Sequence, residues 1–233
     1  MIVSHKHKFI FIKTRKTAGT SIEIALSAFL GPDDIVTRMF KEDEATRQAL
    51  GYRGSQHTLV PLRRYALSDW KDFLRTRERV EFYNHMPASL VRRYVGEKVW
   101  DEYFTFCFER NPYDKAISKY HWRARRSELP PLADYLRSVK GKISDWRTYT
   151  IDGRIAVDFV GRFERLTEDL EEVRRRIGLP APLVLPKAKG GYRKDKRHYS
   201  EVLNDEERAL IEQTFAREIE AFGYRFEAMQ RAE

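Results

Sequence analysis

The sequence predicts an α/β fold with a mostly parallel sheet, and three observations predict it. FIFI at residues 9–12 and FTFCFE at 104–109 are unbroken apolar runs of strand length. Each feeds a short turn and then a segment with helical spacing. Segments of helical period also fill most of the remaining chain. Strands covered on both faces read as continuous apolar runs, and repeated strand–turn–helix units build parallel sheets.

The elements follow in order. Residues 8–13 form the first buried strand. Ile22, Ala25, Leu26 and Phe29 recur at i, i+3, i+4 and i+7, so a helix begins near Thr20 and stops at Gly31 and Pro32. Residues 31–84 carry short helical patterns and turns, with Ser68 as the N-cap of SDWKDFLRT, and no strand is predicted there. Pro87 and Gly96 bracket a helix in HMPASLVRRYVG. The second strand, 103–109, runs into RNPYDKAISKYHW, which is helical after its proline. Residues 131–140 are helical, a turn at Asp152 and Gly153 precedes a third strand, and TEDLEEVRRRIG is a helix ending at Gly178. Val173 and Ile177 form its inward stripe, with Arg174, Arg175 and Arg176 on a solvated face. LPAPLVLPKAKGGYRKDKRHYS is a long loop, and Asn204 with Glu207 forms a capping box opening a helix over 205–221.

Composition bounds the function. At 233 residues the chain suits one domain spanning 1–233. Its 42% hydrophobic content is globular rather than disordered. The net charge of +9 suits an anionic ligand (nucleotide, nucleic acid, sulfated sugar or membrane surface) without choosing among them, and a solvated basic surface fits equally. Cys107 is the sole cysteine, which excludes an internal disulfide and a multi-cysteine metal site. The first apolar stretch is too short and too interrupted by lysine for a secretion signal, and no run approaches the roughly 18 apolar residues of a membrane span. A cytoplasmic protein is expected.

Two segments carry chemistry. In KTRKTAGTS a strand feeds a glycine turn and a helix start, so backbone N–H groups and the helix dipole converge where an anion would sit. Gly19 permits close approach, while Lys16, Thr17, Thr20 and Ser21 add charge and hydroxyls. The pattern is not GxxxxGK[ST], because its lysine precedes the only glycine. An ordinary β-turn-α with exposed lysines would share these features. In FCFERNPYDKAIS, Arg110 stands at the carboxyl end of a strand, where open parallel sheets bind ligands, and Ser118 lies about two turns into the next helix. A surface ion pair at Arg110 and a solvated Ser118 would also satisfy that segment.

Together the two segments resemble the 5′-phosphosulfate loop and the 3′-phosphate motif of sulfotransferases that use 3′-phosphoadenosine 5′-phosphosulfate (PAPS). NHMPASLVRRYVGEKVWDEYFTFCFERNPYDKAISKYHW, VDFVGRFERLTEDL and IEAFGYRF are also similar to bacterial and carbohydrate-type members. The resemblance implies a P-loop-like three-layer core with a central parallel sheet flanked by helices. It implies transfer of a sulfuryl group from PAPS to a hydroxyl of a carbohydrate or other small acceptor, leaving 3′-phosphoadenosine 5′-phosphate (PAP). Lys16 would meet the leaving oxygen, with Arg15, Thr17, Gly19, Thr20 and Ser21 around the 5′-phosphate and Arg110 and Ser118 on the 3′-phosphate. His85 would be the base, with His57 in reserve; either histidine could instead be structural. The chain departs from the family at KRHYSEVL, where Ser200 stands in place of an arginine, so Arg193, Lys194 or Arg197 would have to supply that cation.

The resemblance implies no metal, and no metal-ligand spacing is present. No nucleic-acid or membrane partner is expected. A magnesium-dependent phosphotransferase would need the missing GK[ST]. A polyanion- or RNA-binding module, or a catalytically inactive nucleotide-binding homologue, would share the charge and the loop. The acceptor would be shaped by residues 31–84 and 120–150, which carry no recognisable pattern.

Overall fold

The computed structural model of the chain describes residues 1–125, 127–139, 142–186 and 197–227. In chain order its elements are β1 (Ile2–Ser4), β2 (Phe9–Phe11), α1 (Gly19–Ser27), β3 (Ile35–Val36), α2 (Lys41–Ala49), α3 (Leu67–Thr76), α4 (Ala88–Val95), α5 (Glu97–Glu102) and β4 (Phe104–Glu109). Then come α6 (Pro112–Ala124), α7 (Leu132–Val139), α8 (Trp146–Tyr149), β5 (Thr150–Ile151), β6 (Arg154–Ile155), β7 (Phe159–Arg162), α9 (Leu166–Arg176), α10 (Tyr199–Val202), α11 (Asp205–Thr214) and α12 (Ala216–Phe222). Two compact units result, one from Met1–Glu109 with Arg147–Ala188 and the other from Arg110–Trp146 with Lys189–Glu233.

The first unit holds a five-stranded sheet of order β3-β1-β2-β4-β7. β2, β4 and β7 pair in parallel, with Phe11 opposite Phe106 and Phe108 opposite Gly161. The mostly parallel sheet is as expected, with β1 running antiparallel to both β2 and β3. β3 also falls where no strand was predicted. Its two residues carry no readable periodicity and are held because Val36 pairs with Ile2 on one side and Gln56 on the other. Alternate residues on both faces of the central strands are buried: Phe9, Phe11, Phe106 and Phe108 join Ile22 and Leu26 of α1 and Leu170 and Val173 of α9 in one cluster. Ile10, Ile12 and Cys107 are buried on the other face.

Several helix ends follow the sequence chemistry. Asn111 caps α6, its side chain accepting from the Tyr113 N–H at 3.0 Å, with Pro112 at the first helical position. The box at α11 forms, Asn204 Oδ1 accepting from the Glu207 N–H at 2.9 Å and Glu207 Oε2 from the Asn204 N–H at 3.1 Å. That helix is shorter than predicted, however: it breaks at Phe215, whose backbone leaves helical geometry while its side chain stays fully buried. α3 begins at Leu67 rather than after Ser68, because Asp69 accepts from the Ala66 N–H at 2.8 Å and so satisfies the helix start itself. The strand predicted after the Asp152–Gly153 turn is divided into β6 and β7, and β5 before the turn pairs with β6. The second unit packs α6, α7, α10 and α11 around Tyr113, Ile117, Leu136, Leu203 and Ile211, with Lys115 Nζ and Asp145 buried as an ion pair at 2.9 Å.

Beneath the turn between β2 and α1 lies a buried charge cluster. Lys13 Nζ donates to Glu23 Oε2 at 2.6 Å, and Glu23 has no exposed side-chain surface. Glu23 Oε1 accepts from the Met1 amino group at 3.1 Å and stands 3.2 Å from Thr37 Oγ1. Burial alone would push the Glu23 carboxyl up, but the Lys13 ammonium and the Met1 amine outweigh it and hold it at about 2. Burial pulls the Met1 amine down to about 5, against the pull of the Glu23 carboxylate.

Three outcomes follow. An alanine Cβ at Gly161 would stand 2.4 Å from the Phe108 ring, so Gly161→Ala should destabilise by about 1–3 kcal/mol, read as a lower Tm. Lys13→Met takes the closest cation from a buried carboxylate and should cost about 3–5 kcal/mol in chemical denaturation. Because Glu23 titrates lower in the folded chain than its ordinary 4.5, its contribution is complete above that value and is lost as pH falls from 4.5 towards about 2. Melting curves across that interval should therefore show a shallower acid slope in Glu23→Gln than in the parent.

Candidate functional site

The first unit carries the loop that joins β2 to α1. Its backbone visits the left-handed region at Lys16 (φ 63°) and Ala18 (φ 59°), an unusual choice for residues with a Cβ. Such turns gather successive N–H groups into a concavity that suits an anion. Ala18 precedes α1 and has no side-chain oxygen to cap it, so the helix's first turn receives no side-chain cap from that position. An added Cβ at Gly19 would lie 3.0 Å from Lys13 Cγ and 3.2 Å from the Thr14 carbonyl, so glycine is the residue that lets the loop close on the Lys13 stem.

The loop is anchored from below. Thr14 Oγ1 donates to the Phe108 carbonyl of β4 and accepts from Thr17 Oγ1 at 2.9 Å. Thr17 is thus a buried brace within the loop. Arg15, Lys16, Thr20 and Ser21 are half-buried along the same turn and helix start.

His85 belongs to the same unit. Its Nδ1–H donates to the Lys13 carbonyl at 2.8 Å, three residues before Lys16. A carbonyl can only accept, so this bond fixes the neutral imidazole with its proton on Nδ1 and Nε2 as the basic nitrogen. The residue is half-buried and holds a left-handed backbone, φ 64°. His57 is different: it is exposed, and its Nε2 donates to the Pro32 carbonyl at 2.8 Å, which ties that imidazole to the 31–34 turn.

In the second unit Arg110 follows β4 directly in the chain and points along α6, where its Nη2 meets Asp114 Oδ2 at 3.3 Å. Asp114 and Ser118 are one turn apart on the same helix face, so Arg110 and the half-buried Ser118 border a common stretch of α6. Ser200 lies in α10 with its Oγ 2.7 Å from His198 Nδ1. Of the cations expected to substitute for an arginine there, Arg193 and Lys194 lie outside the described residues, and Arg197 lies just before α10.

Sequence reasoning missed Lys13, Glu23 and Asn84. Asn84 Oδ1 lies 2.9 Å from Thr37 Oγ1 and 3.1 Å from the Met1 amine, which links the residue before His85 to the Glu23 cluster. One signal was present: Ile22, Ile24, Ala25 and Leu26 surround Glu23, and a helix apolar on nearly all sides buries whatever it carries. A concavity of about 400 Å³, lined by Ser27, Leu30, Tyr52, Arg53, Ser55 and Gln56, is a separate feature. It sits at the far end of α1, a helix length of about 13 Å from the loop.

Among the described residues no helix is long and apolar enough to cross a membrane. No solved structure matches the chain. An uncharacterized protein of Archaeoglobus fulgidus is 33% identical over a stretch covering 42% of this chain and 87% of that relative. The profile of the sulfotransferase family matches residues 1–225, almost the full length, and on that match the chain belongs to the sulfotransferase family.

Proposed function

We propose that this protein transfers a sulfuryl group from PAPS to a hydroxyl of a carbohydrate or other small-molecule acceptor. The observation that carries the reading is the pairing, within one unit, of a left-handed lysine loop at a helix start with a histidine whose tautomer is set by that loop's own backbone. The loop fits the donor's 5′-phosphosulfate: it offers an ammonium at Lys16, a guanidinium at Arg15, N–H groups around Ala18 and Gly19, and the hydroxyls of Thr20 and Ser21. Thr17 contributes by holding the loop to Thr14. Arg110 and Ser118 are assigned to the 3′-phosphate, for which a guanidinium fork and a hydroxyl are suited donors.

When bound, the donor supplies the sulfuryl group and a phosphate as leaving group. His85 Nε2 takes the proton from the acceptor hydroxyl while that oxygen bonds to sulfur. Its Nδ1–H bond to the Lys13 carbonyl keeps the ring oriented and stabilises the imidazolium that results. Lys16 and the loop N–H groups meet the negative charge that grows on the departing oxygen, where preorganised donors lower the barrier most.

Melting curves with PAP test the donor site, with ATP and adenosine 5′-phosphate as controls. At about 100 times its dissociation constant, PAP should add roughly 2.7 kcal/mol, and Lys16→Ala or Arg110→Ala should weaken that shift. No selective shift at saturating PAP would remove the support for this donor and favour salt-sensitive binding of polyanions. Once an acceptor is in hand, Lys16→Ala should lower kcat by about 10²–10³ and His85→Ala by about 10²–10⁴. A His57→Ala variant that lost as much as His85→Ala would move the base to His57.

A further inference from the structure

The segment 59–82 of the first unit is closed at its neck by two backbone bonds, Val60 N–H to the Val80 carbonyl at 2.9 Å and Phe82 N–H to the Thr58 carbonyl at 2.7 Å. α3 lies within this excursion and is held along one side only. Asp69 accepts from Tyr94 OH at 3.2 Å and from Arg93 at 3.3 Å, and Phe73 packs edge-on with Tyr65 and Trp70. On the opposite side Leu67, Lys71 and Leu74 fall at i, i+4 and i+7 and share one face, with Trp70 at its margin.

That face is open. Leu67 is 83% exposed, Leu74 60% and Trp70 38%, and Leu62 in the turn before α3 is also exposed. Solvent-facing leucines at helical spacing cost free energy unless something covers them. The charges say what: residues 61–79 carry six basic against three acidic side chains. Two of those acids are engaged, Asp69 with Arg93 and Asp72 with Arg75. Among the described residues no carboxylate pairs with Arg63, Lys71 or Arg77, all of them exposed.

We propose that α3 and the Leu62–Arg64 turn dock on the surface of an anionic lipid bilayer. Lys71 stands between Leu67 and Leu74 on the apolar face itself. The core of a protein–protein contact is depleted of lysine, whereas at a lipid interface the lysine stem lies along the acyl boundary and its ammonium reaches a phosphate. Trp70 at the margin of the face suits the headgroup level. Sequence reading expected no membrane partner because no segment is long enough to span, but a helix lying in the interface needs no span. Docking is independent of the proposed sulfuryl transfer.

Co-sedimentation of the full chain with vesicles of 30% phosphatidylglycerol in phosphatidylcholine, against pure phosphatidylcholine, tests the surface. The parent should partition onto the anionic vesicles at least about tenfold more strongly, and less so in 0.5 M salt than in 0.1 M. Leu67→Ser/Leu74→Ser should lose about tenfold or more of that partition with an unchanged melting temperature, since both side chains are exposed. Leu50→Ser, at another exposed leucine, should lose nothing. Failure of the parent to bind anionic vesicles overturns the proposal, as does a double-serine variant that binds like the parent, which would assign binding to net charge alone. A double-serine variant that leaves vesicle binding intact but dissociates a parent dimer in light scattering would give this face to a second copy of the chain instead.

Discussion

The buried pair of Lys13 and Glu23 is the interaction on which the candidate catalytic half is built. Lys13 ends the run from β2, and its side chain turns inward to meet a carboxylate of α1 instead of reaching for water. That inward turn lets Gly19 close on the lysine stem, which fixes where α1 starts. It also fixes the direction of the Lys13 carbonyl, which receives His85. A hydrophobic pair of the same volume could stabilise the fold as well or better, because burying two charges costs much of what their attraction returns. What the ion pair adds is a single register between strand, loop and helix, since a displaced lysine would leave Glu23 buried without its closest cation.

The antiparallel β1 acquires a purpose in that light. Its register sets Ile2 opposite Phe11 and opposite Val36, so the Met1 end of the strand arrives beside the carboxyl ends of β2 and β3. A parallel strand in the same position would have carried Met1 to the opposite edge. Thr37, just past β3, donates its N–H to the Met1 carbonyl at 3.2 Å and stands beside both Glu23 and Asn84. The two sides of His85, its ring bond to Lys13 and its chain neighbour Asn84, are therefore tied to one carboxylate by different routes.

Much of this was legible in the sequence. β2 and β4 announced themselves as apolar runs, α6 by Asn-Pro, α4 by Pro87 and Gly96, and α11 by Asn204 with Glu207, because each of those signals acts within a few residues. Val173 and Ile177 are buried as their spacing implies, while the pairing of the arginines after Val173 with Glu171 and Glu172 is seen only in the structure. The strands β1 and β3 were not legible, since two or three residues carry no period and their pairing is decided by partners far along the chain. Lys13 and Glu23 escaped for the same reason. A lysine after an apolar strand reads as its solvated end, and only the contact with residue 23 shows otherwise. Likewise the hydroxyl contact between Thr14 and Thr17 is visible only in three dimensions.

The distribution of backbone strain adds a last step. Seven residues other than glycine have positive φ in the described chain, and Lys16, Ala18 and His85 are three of them. Each such conformation costs of order 1 kcal/mol or more, a cost glycine would remove. At Lys16 and His85 glycine would also remove an ammonium and an imidazole, the two groups that the proposed reaction uses. The energy that sustains it comes from the surroundings: the Thr14 bond to β4, the carbonyl of Lys13 and the carboxylate of Glu23 all draw on groups already buried. These contacts hold the loop from several sides, and a site that is to meet charge appearing only during reaction gains from donors held in place beforehand.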